Sequence, residues 1–321
     1  MTFKNKLLKQ AVNEALSTKH VVNIVKSEEV YFESSTDENI PISNDDLIKI
    51  EGIHICDIAG INMIRIPWHR DSSFFNMIKP NLFVTWDMVD WDDFSYFTNI
   101  KSLYVNDSPS DSKCTLTLKL FPNLSELYLQ NVMIESWEHL LDLSNIKMLM
   151  VIESKAEDDS DFTSCVGELH RRQRARFIEA KDRGVESFEL INLRAMDHLA
   201  AINMNISDLS FVDWNVHWTD VNLSYNNIID ITPLEHNKIE YLSLRHNKIN
   251  DMKTLVSGYN YYLNVRHNNI SDISLLLDKM KSDRYIPPFR LYLYNNPIPE
   301  EQIEQLITAD KYDEIYFNDF K

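Results

Sequence analysis

Four segments in the C-terminal third of the chain repeat one pattern. In IEYLSLRHNKINDMKTL, residues 239–255, Ile239, Leu242 and Leu244 are followed by Asn247 and Ile249. WTDVNLSYNNIIDITPL puts Val221, Leu223, Asn226, Ile228 and Ile231 in the same frame, and YYLNVRHNNISDISLL puts Leu263, Val265, Asn268, Ile270 and Ile273 there. FRLYLYNNPIPEEQIEQL supplies Leu291, Leu293, Asn296 and Ile298. The asparagines lie 21, 21 and 28 residues apart, the longest gap holding LLLDKMKSDRYIPP. Neither the three-and-four spacing of a helix nor the strict alternation of a strand reproduces this order. A fixed period of this length means stacked supersecondary units, none of which can bury its apolar face without a neighbour.

Residues 218–307 resemble the short-repeat class of internalin-type leucine-rich-repeat proteins, most closely in NNIIDITPL and NNISDISLL. The resemblance implies an α/β solenoid: a curved coil with a parallel sheet on its concave face. Each turn then contributes a short strand whose alternate residues, such as Leu242 and Leu244, point inward. The sharp bend that follows leaves backbone groups unpaired. A buried Asn carries both donors and an acceptor, so Asn226, Asn247, Asn268 and Asn296 are expected to form a polar ladder that satisfies them. Ile249, Met252 and Leu255 would fill the convex side.

Upstream the pattern is looser. IKSLYVND, LSELYLQNVMI, IKMLMVIES and VESFELINL carry the apolar frame without the asparagine, Val132 standing in its place; NLFVTWDMV and INMIRIPWH are weaker copies. Strand centres at Val84, Val105, Leu129 and Val151 are spaced by 21, 24 and 22 residues, which suits one continuous coil. Leu190 and Leu223 are 33 residues apart, awkward for one turn or two, and Met204 falls at an Asn position if MDHLAAINMNISDLSFV is read in frame.

The solenoid is expected over residues 61–298. Residues 1–60, with a helical start, VVNIVK, EVYFES and LIKIEGIHI, read as an N-terminal cap or a small α+β domain. Residues 299–321, opening on Pro and two acids, read as a C-terminal helical cap. Residues 155–184 interrupt the array. Their early acids and later Arg171, Arg172, Arg174 and Arg176 suit a helix starting near Asp161. This insertion is either a basic projection or a solvated helix packed by Val166, Leu169 and Phe177, the second being favoured. EDDSD lacks the Gly and the closing Glu of a calcium loop.

Little here points to chemistry. Five glycines, widely spaced, form no phosphate-cradling loop, and there is no GxSxG, HExxH or CxxC. Cys56, Cys114 and Cys165 read as reduced thiols. His246 and His267, 21 residues apart, occupy equivalent places in adjacent turns, but two ligands make a weak metal site and repeat copying explains them better. No catalytic residue, cofactor or metal is expected.

The 49 acidic against 32 basic residues, net −17, argue against a nucleic-acid surface and favour solubility or a basic partner. No signal core or membrane-length apolar run occurs, so a cytoplasmic monomer is expected, with secretion by a signal-independent route left open.

Residues between the inward pairs should line the concave face. The interface-forming types among them are Tyr104, Tyr128, Met150, Tyr241, Arg245, Tyr262, Arg266, Arg290, Tyr292 and Tyr294. Tyr is also a good strand former, which covers part of that signal. It does not cover the recurrence of Arg. These residues mark a non-enzymatic module that binds a protein partner on the concave face. The alternatives are an inhibitor or immunity-type protein against a basic toxin, or an enzyme whose site lies in the N-terminal region or the 155–184 insertion.

Overall fold

The aliphatic pairs Ile53/Ile55, Leu103/Val105 and Leu127/Leu129 lie in short parallel strands and are all buried. Each such side chain, fully removed from water, contributes about 1.5–3 kcal/mol. The computed structural model describes residues 3–17, 42–56, 82–109, 115–182, 196–257, 260–281, 290–309 and 314–316. It divides into two compact units: Met1–Leu149 with Glu153–Ala195, and Met150–Ile152 with Met196–Lys321.

In the first unit the strands are β1 (Gly52–Cys56), β2 (Leu82–Thr85), β3 (Ser102–Asn106) and β4 (Glu126–Gln130), followed by the short β5 (Met133–Ile134) and β7 (Lys155–Ala156); β6 (Met148–Ile152) begins in this unit, its last three residues being counted with the second. β3 pairs with β4 from Ser102↔Glu126 to Asn106↔Gln130. A repeated bond marks where successive turns join the sheet. The Glu51 carbonyl accepts from the N–H groups of Lys101 and Ser102, that of Lys101 from Ser125 and Glu126, and that of Ser125 from Lys147 and Met148.

The spacing of Val84 and Val105 suggested consecutive turns, and this is corrected. β1 sits between them, His54 facing Phe83 of β2 on one side and Tyr104 of β3 on the other. A period of 21 fixes the length of a turn, not which strand is its neighbour. IHI, part of the segment read as the cap, supplies a strand of the sheet.

The bend after each of these strands has its own solution. Asp107, Asn131 and Glu153 adopt left-handed backbone, φ 50°, 51° and 52°. Ser108 and Ser154 then occupy two of the ladder positions. The Met133 N–H donates to Ser108 Oγ at 2.8 Å and the Val132 N–H to Ser154 Oγ at 3.1 Å. A hydroxyl here does part of the work of the missing amide.

The N-terminal helix Lys6–Ser17 is tied down by buried Asp93, whose carboxylate accepts from the backbone N–H of Lys4 and of Asn5, both at 2.8 Å. The helix Phe162–Asp182 starts one residue after Asp161, whose Oδ1 accepts from the Ser164 N–H at 2.7 Å, an N-capping bond. Val166 and Leu169 are buried, and Trp137 meets Phe162 edge-on at 4.9 Å. Buried Gln173 donates to the Ile146 carbonyl. The packed-helix reading of the insertion therefore describes it, apart from the Phe177 side chain, which lies outside the described set along with VVNIVK, EVYFES, INMIRIPWH and VESFELINL.

The second unit is the regular one. Its strands β8 (His198–Ile202), β9 (His217–Asn222), β10 (Lys238–Ser243), β11 (Tyr262–Asn264), β12 (Arg290–Tyr292) and β13 (Glu314–Tyr316) stack in chain order, all parallel. Leu199, Val221, Leu242, Leu263, Leu291 and Ile315 stand abreast across them. This is a solenoid with one parallel strand per turn, an aliphatic interior and an amide at the bend, the arrangement that the sequence resemblance implied. The C-terminal segment contains the expected helix, Glu300–Thr308, and also β13, which its sequence did not announce.

The ladder amides are bonded within and between turns. Asn247 Nδ2 donates to the carbonyls of Leu223 and Leu244 at 2.9 and 3.0 Å, and its Oδ1 accepts from the Ile228 N–H at 3.0 Å. Asn226, Asn268 and Asn296 repeat the arrangement on Ile206, Ile249 and Ile270. The register left open before Leu223 is now fixed. Leu199 pairs with Val221, so Ile206 corresponds to Ile228 and Met204 stands where the ladder Asn would be; its N–H donates to Asn226 Oδ1 at 3.0 Å. No helix among the described residues is long and apolar enough to cross a membrane.

Candidate functional site

Strands β9 to β12 present, opposite their aliphatic face, four columns of side chains. Strand register places Asp220, Tyr241, Tyr262 and Arg290 in the first column, and Asn222, Ser243, Asn264 and Tyr292 in the second. The third continues through Ser224, Arg245, Arg266 and Tyr294. The fourth is Tyr225, His246, His267 and Asn295, each one residue before a ladder asparagine and each in left-handed backbone, φ 54–59°.

Exposure on this face departs from the sequence expectation. Tyr262, Tyr292 and Tyr294 are buried, as are Tyr104 and Tyr128 of the first unit and Met150. Neighbouring strands run only about 4.8 Å apart, so large side chains in one column cover each other's flanks. The rings of Tyr241 and Tyr262 lie 6.2 Å apart and nearly parallel, and those of Tyr262 and Tyr292 5.1 Å apart. Burial drives the phenol pKa of Tyr262 up, as it does for Tyr104 and Tyr128. These tyrosines form a second packed layer. What reaches solvent is the margin: Tyr241, Arg245, Arg266 and Arg290 are half-buried, while Tyr225 and Tyr261 are 42% and 39% exposed.

Tyr225, Asn295 and Tyr261 were not singled out from the sequence, and His246 and His267 were noted there only as a weak metal pair explained by repeat copying. Tyr225, His246 and His267 form a continuous stack, with ring centroids 4.2 and 3.9 Å apart and planes within 10° and 13° of parallel. The signal that could have found them is their place directly before the ladder asparagine. A turn needing positive φ there turns the side chain out of the sheet. Parallel imidazoles at 3.9 Å aim their in-plane lone pairs side by side rather than at one point, so the histidine pair does not converge on a metal. No group of three or more His, Cys, Asp or Glu suited to a metal occurs among the described residues.

Arg245 places its guanidinium 4.9 Å over the Tyr225 ring, and Arg266 places its own 5.0 Å over the Tyr294 ring. Such stacking is worth about 0.5–1 kcal/mol at exposed sites and more when water is excluded. Burial lowers the pKa of Arg245, and the neighbouring Arg266 charge pushes in the same direction.

Asp220, 1% exposed, is the other unusual group on the face. Its Oδ2 meets no donor among the described residues, and burial holds its pKa well above the usual carboxylate value of 3.8. The native state therefore keeps this proton to higher pH than the unfolded chain does. Its contribution is complete below pH 3.8 and is lost as pH rises from there through the native pKa. Asp220→Asn keeps the shape and removes the charge. The variant is expected to melt higher than the parent at pH 8 and at nearly the same temperature at pH 3.5, each kcal/mol shifting the midpoint by about 2–4 °C. A lower midpoint at pH 8 would mean that the carboxylate itself is needed.

No protein-family profile matches the chain, and no curated protein matches it in sequence. Among solved structures, internalin C2 of Listeria monocytogenes aligns with 98% of this chain and 94% of its own at 16% identity, TM-score 0.43. A leucine-rich-repeat protein of Leptospira interrogans aligns with 73% of this chain and 63% of its own at 15% identity, TM-score 0.37. Strand register and asparagine bonding, rather than these likenesses, define the repeat.

Proposed function

We propose that the chain is a non-enzymatic protein-interaction module that binds a protein partner through the tyrosine- and arginine-bearing face of β9 to β12, and acts as a monomer in the cytoplasm. The observation that carries this is the mounting of the accessible aromatics. Tyr225 and Tyr261 contribute nothing that the aliphatic core requires, yet each is held against a fixed neighbour. Tyr225 stacks on His246, and Tyr261 lies 5.5 Å from Tyr241, itself resting on buried Tyr262. Side chains already ordered before binding lose little entropy when a partner covers them, which favours large rigid anchors.

The arginine-rich helix is the weaker candidate. Arg171 and Arg172 both pair with Glu168, Arg176 donates to the Ser144 carbonyl, and Arg174 is engaged as well. Inhibition of a basic toxin draws only on the net charge of −17, whereas this face carries arginines.

The test compares Tyr225→Asn/Tyr261→Ala with Arg172→Glu/Arg176→Glu as bait against proteins of the native host. Asn is tolerated in left-handed backbone, as at Asn295, and substitutions at exposed sites stay within about 0.5 kcal/mol of stability. Wild type and the helix variant should capture the same protein stoichiometrically. The face variant should bind it about 30-fold more weakly, a loss of about 2 kcal/mol. Loss with the helix variant and retention with the face variant would move the site to the helix.

A further inference from the structure

Several cations among the described residues are paired with carboxylates. Lys101 pairs with Glu51, Arg171 and Arg172 with Glu168, Lys253 with Asp251 and Lys281 with Asp278. With 49 acidic side chains for 32 basic ones, carboxylates are in excess. Arg245 and Arg266 stand in adjacent turns, just beyond β10 and β11, joined by the His246 N–H donating to the Arg266 carbonyl at 3.0 Å. Both are half-buried, and neither forms an ion pair among the described residues. Beside the burial of its guanidinium, the charge that bears on Arg245 is the neighbouring Arg266. The Nε–H of Arg266 is buried and donates to nothing described. Two like charges partly removed from water beside each other are a cost that the free protein leaves uncompensated.

The directions of the two side chains narrow the choice of counter-ion. Arg245 reaches back over Tyr225 of the preceding turn, and Arg266 reaches forward over Tyr294 of the following one. The guanidinium groups thus diverge from neighbouring backbones instead of closing on one point, as a single phosphate would require. Each ring supports one guanidinium, leaving its remaining N–H groups for a forked pair of bonds, the geometry that suits one carboxylate apiece. We propose that Arg245 and Arg266 each receive a carboxylate from an extended, acidic segment of the protein partner, lying across the strands from Tyr225 toward Tyr294. This rests on the reading of the face as a protein-binding surface and specifies the chemistry of what it binds. It also accounts for the lack of a carboxylate paired with either arginine among the described residues, since an internal carboxylate would compete with the partner's.

The test needs no native partner. The full chain, with 13C-labelled histidine, is titrated with the peptide acetyl-Glu-Glu-Glu-Glu-amide at low salt while the imidazole signals of His246 and His267 are followed. Both should shift saturably at millimolar peptide, the shift should weaken as salt screens the charges, and the glutamine tetrapeptide should leave them in place. Arg245→Gln/Arg266→Gln should weaken binding at least 10-fold while the signals of His54 and His198 stay put, reporting intact folding. Arg245→Lys/Arg266→Lys keeps the charge without the fork and should fall between the two. The proposal is overturned if no saturable shift occurs, if the Gln variant binds as the parent does, or if inorganic phosphate saturates the same signals where tetraglutamate fails. Loss of this peptide binding with retained capture of a protein on the face would sink the carboxylate assignment alone. Failure of capture with intact peptide binding would sink the wider reading.

Discussion

Asn247→Leu is expected to lower the thermal midpoint by about 2–12 °C, although it keeps the number and branching of side-chain heavy atoms and adds apolar surface. The substitution strands the buried Ile228 N–H and removes one of two amide donors from each of the carbonyls of Leu223 and Leu244, which keep Asn226 and Asn268 respectively. A buried group left without a partner costs about 1–3 kcal/mol, which sets the size of the expected loss. At about 2–4 °C per kcal/mol this is the range stated. Asn247→Ser should cost less, because a hydroxyl at a ladder position can still accept a backbone N–H of the preceding turn, as Ser154 Oγ does from Val132. Calorimetry of both variants decides the matter. Equal midpoints for Leu and wild type would mean that water, not the amide, satisfies those groups, and a Ser variant below Leu would mean that shape rather than bonding sets the position.

The asparagine was legible because its requirement is local and repeats. One residue type meets the donors and acceptors of a bend, and the bend recurs every turn. The order of β2, β1 and β3 was not legible, because a 21-residue spacing is compatible with any neighbour that offers a Leu-x-Leu frame, and Ile53 and Ile55 in IHI offered one. The first unit's ladder was missed because Ser is too common a residue to stand out at positions 108 and 154. On the candidate face the sequence placed the first three columns opposite the aliphatic residues and misjudged their depth. Alternation along a strand says which face a residue takes. How far neighbours cover it depends on the width of the side chains beside it, and four tyrosines in adjoining rows bury one another. Tyr225, His246 and His267 lay just outside the alternation, in the one residue per turn whose backbone is left-handed.

Tyr262→Ala illustrates the consequence of that depth. Taken as an exposed interface residue, its truncation would leave stability almost untouched. Its actual position, 2% exposed and in ring contact with Tyr241 and Tyr292, makes it part of a packed layer. Its hydroxyl accepts from Asn264 Nδ2 at 3.0 Å, inside that layer. Truncation of a buried aromatic costs about 3–5 kcal/mol through lost burial and the cavity left behind, so urea unfolding of Tyr262→Ala should show a loss of that size. Tyr262→Phe keeps the ring and gives up only the partner of the Asn264 amide, a loss of about 1 kcal/mol. The pair also separates folding from recognition. If Tyr262 supports the face without touching the partner, Tyr262→Phe should bind as the parent does while Tyr262→Ala fails in proportion to its unfolded fraction. Should Tyr262→Ala unfold at the parent's urea midpoint and bind poorly even so, Tyr262 is itself an anchor, and the face opens on binding to expose it.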